Sequence, residues 1–286
     1  MGIDAASAQF LAACRDGGVD YSRTITLGRQ QMLDGSGYAE GFLGALGAEH
    51  VDSLDASAFE GATVVADLNH DLPAELRRRY SAVIDAGTLE HVFDLATALR
   101  SVLDLVAPNG HYIAISPANN WPGHGFYQFS PELLFRVLSP DAGFRIRGAF
   151  VIEHRSKPRW LTVADPAAVG ERVAWRNRHR TSLAVVAQRV RIVDLATFVP
   201  QQSDYAARWE TSAEPVGSGP THTLKRLVWR AAPSPARHVY EAYVRRRRDS
   251  FDERYFRPIQ ASELALQIAP SAQDQVISRG AASPSL

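Results

Sequence analysis

The chain has 286 residues, enough for one large α/β domain with an appendage. Hydrophobic residues make up 45% and charged residues 22%, and 31 basic side chains balance 31 acidic ones, so no net charge grips nucleic acid or an anionic membrane. The single cysteine, Cys14, excludes an internal disulfide and a cysteine-cluster metal site. A reducing cytoplasm fits. No signal peptide is visible, and no apolar run approaches the ~18 residues of a membrane span.

Ala5 to Cys14 reads as a short amphipathic helix. Arg23 to Leu27 is β-branched and stopped by Gly28, which predicts a first strand. Tyr38 to Leu46 can be helical, although Gly41 and Gly44 weaken it. His50 to Asp55, Thr63 to Asp67 and Ala82 to Asp85 are the second, third and fourth strands. Leu89 to Val106 carries apolar residues at helical spacing and predicts one long helix, ended by Pro108-Asn109-Gly110. His111 to Ser116 is the fifth strand. Ser130 can cap a helix from Pro131 to Leu138. Phe144 to Glu153 and Ser182 to Val190 are further strands, separated by an Arg- and Trp-rich insertion from Arg155 to Arg180. Alternating strands and helices predict a doubly wound Rossmann-like α/β sheet over residues 1–200. Residues 201–270 read as a helical C-terminal appendage, and residues 271–286 as a disordered tail.

Three strand ends carry acids. Asp55 closes the second strand, where a carboxylate can accept from both ribose hydroxyls of a nucleotide, or can cap the next helix. Asp67 closes the third. It can accept from an adenine amino group with Leu68 packed on the base, or serve as a turn carboxylate. Asp85 closes the fourth, and Gly87 lets backbone approach a ligand. Glu90 and His91 follow, and His91 reads first as a packed histidine.

The ordered set resembles class I S-adenosylmethionine-dependent methyltransferases over roughly Arg23 to Val190. Leu54-Asp55 is similar to that family's second-strand acid, and Asp67-Leu68 to its adenine loop. Asp85 to Val92 is similar to the segment after its fourth strand, and Pro108-Asn109-Gly110 to its turn before strand five. The resemblance implies a mostly parallel sheet with an antiparallel last strand, supplied by Ser182 to Val190. It implies S-adenosylmethionine as cofactor. Asp55 would hold the ribose and Asp67 and Leu68 the adenine, while Gly28, Asp85 and Gly87 would line the methionine end. The family carries Gly-x-Gly after strand one. Here Gly28 is followed by Arg29 and Gln30, which either bind a carboxylate or close the site. Leu33-Asp34-Gly35-Ser36-Gly37 offers the motif's letters without a preceding strand, so Gly28 is the favoured position.

The acceptor side is expected after strand five. Asn119, Asn120, Trp121 and Gln128 are candidate substrate ligands, and His124 or Tyr127 is the candidate general base. His124 can equally be a residue that pins its loop. The run Gly123-His-Gly-Phe-Tyr-Gln-Phe-Ser-Pro131 resembles a bacterial subgroup of methyltransferase-like proteins associated with polysaccharide or specialised-metabolite pathways. Arg245 to Arg248 is followed by acids at pairing distance and reads as a solvated helix face. No two histidines stand at metal-motif spacing, so no metal is expected. The expected function is methyl transfer to an oxygen or nitrogen of a small polar acceptor. The alternative is a non-catalytic scaffold that has lost cofactor binding. A small-molecule substrate is expected, with neither nucleic acid nor membrane as partner.

Overall fold

The computed structural model describes residues 2–210 and 251–270. The fold is built on a strand that is buried on both faces. Tyr112-Ile-Ala-Ile115 lies in β8 (Val106–Asn119), and successive side chains point to opposite layers. Tyr112 and Ala114 enter one apolar cluster, while Ile113 and Ile115 enter the other. The same alternation runs through β7 (Tyr80–Asp85) and β11 (Thr181–Arg189).

On one side of β8 the sheet is parallel. Outward from it come β7, then β2 (Arg23–Leu27), β5 (His50–Asp55) and the short β6 (Val64–Val65). On the other side it is antiparallel. Here β11 inserts between β8 and β9 (Phe144–Glu153), followed by β10 (Arg159–Val163) and β12 (Phe256–Ile259). This is the Rossmann-like α/β arrangement expected, with β11 as the antiparallel strand. The sheet then continues two strands further. Strand β10, paired between β9 and β12, comes from the insertion that was read only as Arg- and Trp-rich.

One layer holds α3 (Leu95–Asp104) and α4 (Pro131–Val137), through Leu99, Val102, Leu134 and Val137. The opposite layer holds α1 (Ala5–Asp16), α2 (Glu40–Ala45) and α7 (Leu264–Ile268), through Phe10, Leu11, Leu43 and Ile268. The short α5 (Pro166–Val169) and α6 (Ser203–Glu210) flank α4. Capping follows the sequence signals. Ser130 Oγ accepts from the Leu133 amide at 3.2 Å, with Pro131 as the first helical residue.

The C-terminal reading needs correction. Residues 256–268 do not stand apart from the sheet as a helical appendage. β12 pairs with β10, and α7 buries Leu264 and Ile268 against the α1 layer. Residues 211–250 of the expected appendage and the tail from 271 lie outside the described residues. Between β2 and α2 there is a further addition. The hairpin β3 (Gln31–Met32) and β4 (Gly37–Tyr38) pairs with β1 (Gly2–Ile3).

Two charged groups inside this frame are handled differently. Arg189, fully buried at the end of β11, donates to the carbonyls of Leu103 and Val106 at 3.1 and 3.0 Å and reaches Asp104 at 3.3 Å. It thereby satisfies backbone acceptors at the C-terminus of α3. His111 in β8 is held neutral, because burial, aided by nearby Arg147, pushes its pKa down to about 4 from 6.5. Below pH 6.5 the unfolded chain binds a proton there that the folded chain refuses, so stability falls as pH falls from 6.5 to 4. The shift sets an upper bound of about 3 kcal/mol on that loss. We expect His111→Asn to flatten this limb: the melting temperature should drop less between pH 7 and pH 4.5 in the variant than in the parent, as followed by circular dichroism.

Candidate functional site

The parallel half of the sheet opens where β2 and β7 part. From β2 the chain winds outward to β5 and β6, then returns to β7 on the other side of β2. A crevice at the carboxyl ends of the strands is the geometric consequence. The loops leaving both strands are tied to one atom, the Leu27 carbonyl. It accepts from the Thr88 hydroxyl at 2.6 Å and from the Gln30 side-chain amide at 2.6 Å.

A cleft of about 210 Å³ lies beside this point. Gly28, Asp55, Asp67 and Leu68 line it together, along with Asn69, Thr88 and His91. Leu68 is buried and forms apolar wall. Asp55 accepts weakly from the Ser57 amide at 3.3 Å. Asp67 Oδ1 accepts from the Asn69 amide and side chain at 2.9 and 2.8 Å, and these bonds hold its carboxyl below the usual range. Both carboxylates are thus shaped by their own turns. A larger hollow, about 460 Å³, lies between α4 and α6, but Arg136 and Asp204 in it already pair with Asp165 and Arg172.

Arg29 does not fill the cleft. Its guanidinium bonds Glu40 at 2.8 Å and the Glu60 carbonyl at 2.7 Å, and it lies 3.9 Å over the Tyr38 ring. Gln30 is the residue packed inward, only 1% exposed. Its Oε1 has no hydrogen-bond partner among the described residues.

Asp85 and Gly87 sit elsewhere than predicted. Asp85 is buried beneath the turn, where Oδ1 accepts from the Thr88 and Leu89 amides at 2.9 and 3.4 Å. Burial raises its pKa to about 6, and those amides hold it from rising further. A carboxylate that organises the turn does not face a ligand. Gly87 backs onto Glu90, and a Cβ there would lie 3.1 Å from Glu90 Oε1.

The predicted long helix from Leu89 is broken into a 3₁₀ turn, Leu89–His91, and α3. Both partners of the missing helical bond are engaged elsewhere. The Glu90 carbonyl accepts from the Phe126 and Tyr127 amides at 2.7 and 3.2 Å. The Asp94 amide donates to Asn69 Oδ1 at 2.9 Å. Asp94 then caps α3 through the Thr97 amide. The loop after β8 is thus stitched onto residue 90.

That stitching redirects most of the predicted acceptor-binding groups. The Asn119 and Asn120 side chains donate to Asn177 Oδ1 at 3.0 and 2.8 Å, and Asn120 also reaches the carbonyls of Asn177 and His179. Trp121 Nε1 donates to the Thr181 carbonyl, and Gln128 accepts from the Trp121 amide. The Tyr127 hydroxyl donates to the Phe93 carbonyl at 2.7 Å, so its proton is committed within the protein. Of this set, exposed Gln128 and His124 remain open. The His124 side chain is 42% exposed, and its ring lies 5.0 Å from that of His91 and 5.1 Å from that of Trp121.

Two residues absent from the predicted site are central to it. Glu90 is 1% exposed along its side chain, and its Oε1 stands 3.4 Å from His124 Nε2. Neither carboxylate oxygen has a hydrogen-bond partner among the described residues. Burial, with the nearby Asp85 carboxylate, pushes its pKa up to about 8. His91 joins the cleft to this pair. The only sequence signal for either was adjacency to the fourth strand's end.

No protein-family model matches the chain. No curated protein matches it in sequence. Solved structures are similar in part. One is Burkholderia thailandensis 1,6-didemethyltoxoflavin-N1-methyltransferase with bound 1,6-didemethyltoxoflavin and S-adenosylhomocysteine. It is 16% identical over 65% of this chain and 79% of that one, with a TM-score of 0.40. Another is the N-methyltransferase NodS of Bradyrhizobium japonicum WM9 in complex with S-adenosylhomocysteine. It is 14% identical over 64% of this chain and 85% of that one, with a TM-score of 0.40.

Gly125 is the residue that lets the loop reach Glu90. It has a φ of +70°, and a Cβ there would fall 2.6 Å from the Glu90 carbonyl oxygen. Gly125→Ala should cost about 2 kcal/mol through strain and the lost backbone bonds. We expect a lower melting temperature, together with faster amide exchange at Phe126 and Tyr127 while the amides of β8 stay protected.

Proposed function

We propose that the cleft binds the nucleoside of S-adenosylmethionine and that the protein transfers a methyl group to an oxygen or nitrogen of a small polar acceptor. The observation that carries this reading is the convergence of Gly28, Asp55, Asp67 and Leu68 on one cleft at the β2/β7 crossover. The residues fit the nucleoside. Asp55 would accept from the ribose hydroxyls and Asp67 from the adenine amino group, with Leu68 against the base. Gln30 Oε1 is a buried acceptor without a hydrogen-bond partner among the described residues, a group suited to an ammonium. When bound, S-adenosylmethionine supplies an electrophilic methyl whose sulfonium charge disappears on transfer. The protein's part is then mainly to align the acceptor and exclude water. His124, whose side chain is half open, would take the acceptor's proton. Tyr127, whose hydroxyl serves Phe93, is not.

A second reading is favoured by one observation. Gln30, not a second glycine, is packed under the loop after β2, bonded to the Leu27 carbonyl. A protein that binds the nucleoside without transferring a methyl group would carry the same Asp55 and Asp67.

Calorimetric titration with S-adenosylmethionine, S-adenosylhomocysteine and adenosine separates the two. Methyl transfer predicts micromolar binding of both cofactor forms, weaker binding of adenosine, and a loss of roughly 10- to 100-fold in Asp55→Ala, the worth of a charge-assisted hydrogen bond. Equal affinity for adenosine and S-adenosylmethionine would support the second reading. No heat with any of the three would refute both.

A further inference from the structure

We propose that Glu90, His91 and His124 form a binding site for one first-row transition-metal dication, with zinc as its type. The three side chains come from the turn after β7 and the loop after β8, 34 residues apart in sequence at most, and the fold brings them together. One ligand atom from each lies within 4.8 Å of the others. Two observations make this more than a chance grouping of polar residues.

The first is the state of Glu90. Its side chain is 1% exposed, and both oxygens lack a hydrogen-bond partner among the described residues. A buried carboxylate in that state is costly, and native proteins normally pair it or give it to a metal. His124 Nε2 faces it at 3.4 Å without a hydrogen bond among the described residues. Asp85, close by and also buried, is another acid. The backbone carbonyl of Glu90 already serves Phe126 and Tyr127, so the whole segment is held while its carboxylate is left unmatched.

The second is the geometry toward His124. Zinc binds nitrogen and oxygen at about 2.0–2.1 Å, so two such ligands on a tetrahedron stand about 3.3 Å apart. Glu90 Oε1 and His124 Nε2 are 3.4 Å apart. Glu90 and His124 therefore already occupy an edge of that polyhedron. His91 is exposed and its ring can turn to complete the face. A carboxylate with two imidazoles is a donor set that suits zinc and its neighbours. Magnesium prefers an all-oxygen shell. Because His91 and His124 open to solvent, the remaining positions would take water or another oxygen ligand.

The site's location adds a consequence that rests on the function proposed above. His91 also lines the nucleoside cleft, so the ion would sit between cofactor and acceptor. An acceptor hydroxyl bound to it would give up its proton to solvent water more readily, with His124 then serving as metal ligand and not as base.

The test uses the full chain, stripped with chelator and free of nucleoside. We expect titration with zinc chloride to show one site per chain with micromolar or tighter affinity, and magnesium chloride to give no saturable binding. Glu90→Gln and His124→Ala should each weaken zinc binding by about 30-fold or more, roughly 2 kcal/mol. His70→Ala, an exposed histidine outside the cluster, should leave it unchanged. Cobalt(II) should give the visible absorption of a low-coordinate nitrogen–oxygen site, lost in the same two variants. Circular dichroism checks folding, and the half-open His124 gives a second variant should Glu90→Gln not fold. Absence of saturable zinc binding in the parent, or zinc binding that persists in a folded His124→Ala, would overturn the proposal. A proton alone would then neutralise Glu90. Failure here leaves the nucleoside titrations standing, since those are run without metal, and the reverse also holds.

Discussion

The Leu27 carbonyl is the point on which the candidate site depends. Two parallel strands diverge there, and a crevice opens unless the loops leaving them are held. The Thr88 hydroxyl and the Gln30 amide both bond that oxygen at 2.6 Å. These two bonds fix the floor of the cleft from both sides. They also explain why Gln30 can stand where a glycine is expected: its side chain serves the protein's own backbone. Arg29, its neighbour, is drawn the other way by Glu40, Tyr38 and the Glu60 carbonyl. The cleft stays open because the bulky residues after Gly28 have partners outside it.

A second dependence runs through residue 90. Its carbonyl receives the loop after β8, and its carboxylate is left facing His124. One residue thus joins the cofactor side of the crevice to the acceptor side. Gly125 makes this possible, because the backbones approach too closely for any Cβ. The polar side chains of that loop then satisfy one another and the segment from Asn177 to Thr181. The result is a stiff loop with few open polar groups, and His124 is foremost among them.

Charge is distributed with the same economy. Asp67 is stabilised as an anion by its turn, whereas Asp85 and Glu90 are held toward the neutral form by burial. Asp67, which lines the cleft, therefore favours charge, and the acids beneath it resist charge. This split follows depth below the strand ends, and it separates groups suited to hydroxyl recognition from groups that require a counter-ion.

Local pattern decided much of the fold. Short runs ending at Leu27, Asp55 and Glu153 became strands at those boundaries, and Ser130-Pro131 started a helix, because propensity and capping act within a few residues. Asp55, Asp67 and Leu68 were legible because a strand's end determines which residues crown the sheet. The rest needed the folded chain. The break after His91 was invisible because the carbonyl and amide that would have continued the helix found partners in the loop after β8 and at Asn69. β10 and β12 had no signal beyond short apolar runs, since strands this short are specified by the neighbours they pair with. Asn119, Asn120 and Tyr127 looked like ligands for a substrate, yet hydrogen-bonding capacity does not say where a side chain points. Composition and order along the chain determined the sheet and its acids. Only tertiary contact decided which polar groups are satisfied within the protein, and it left Glu90 and His124 facing each other.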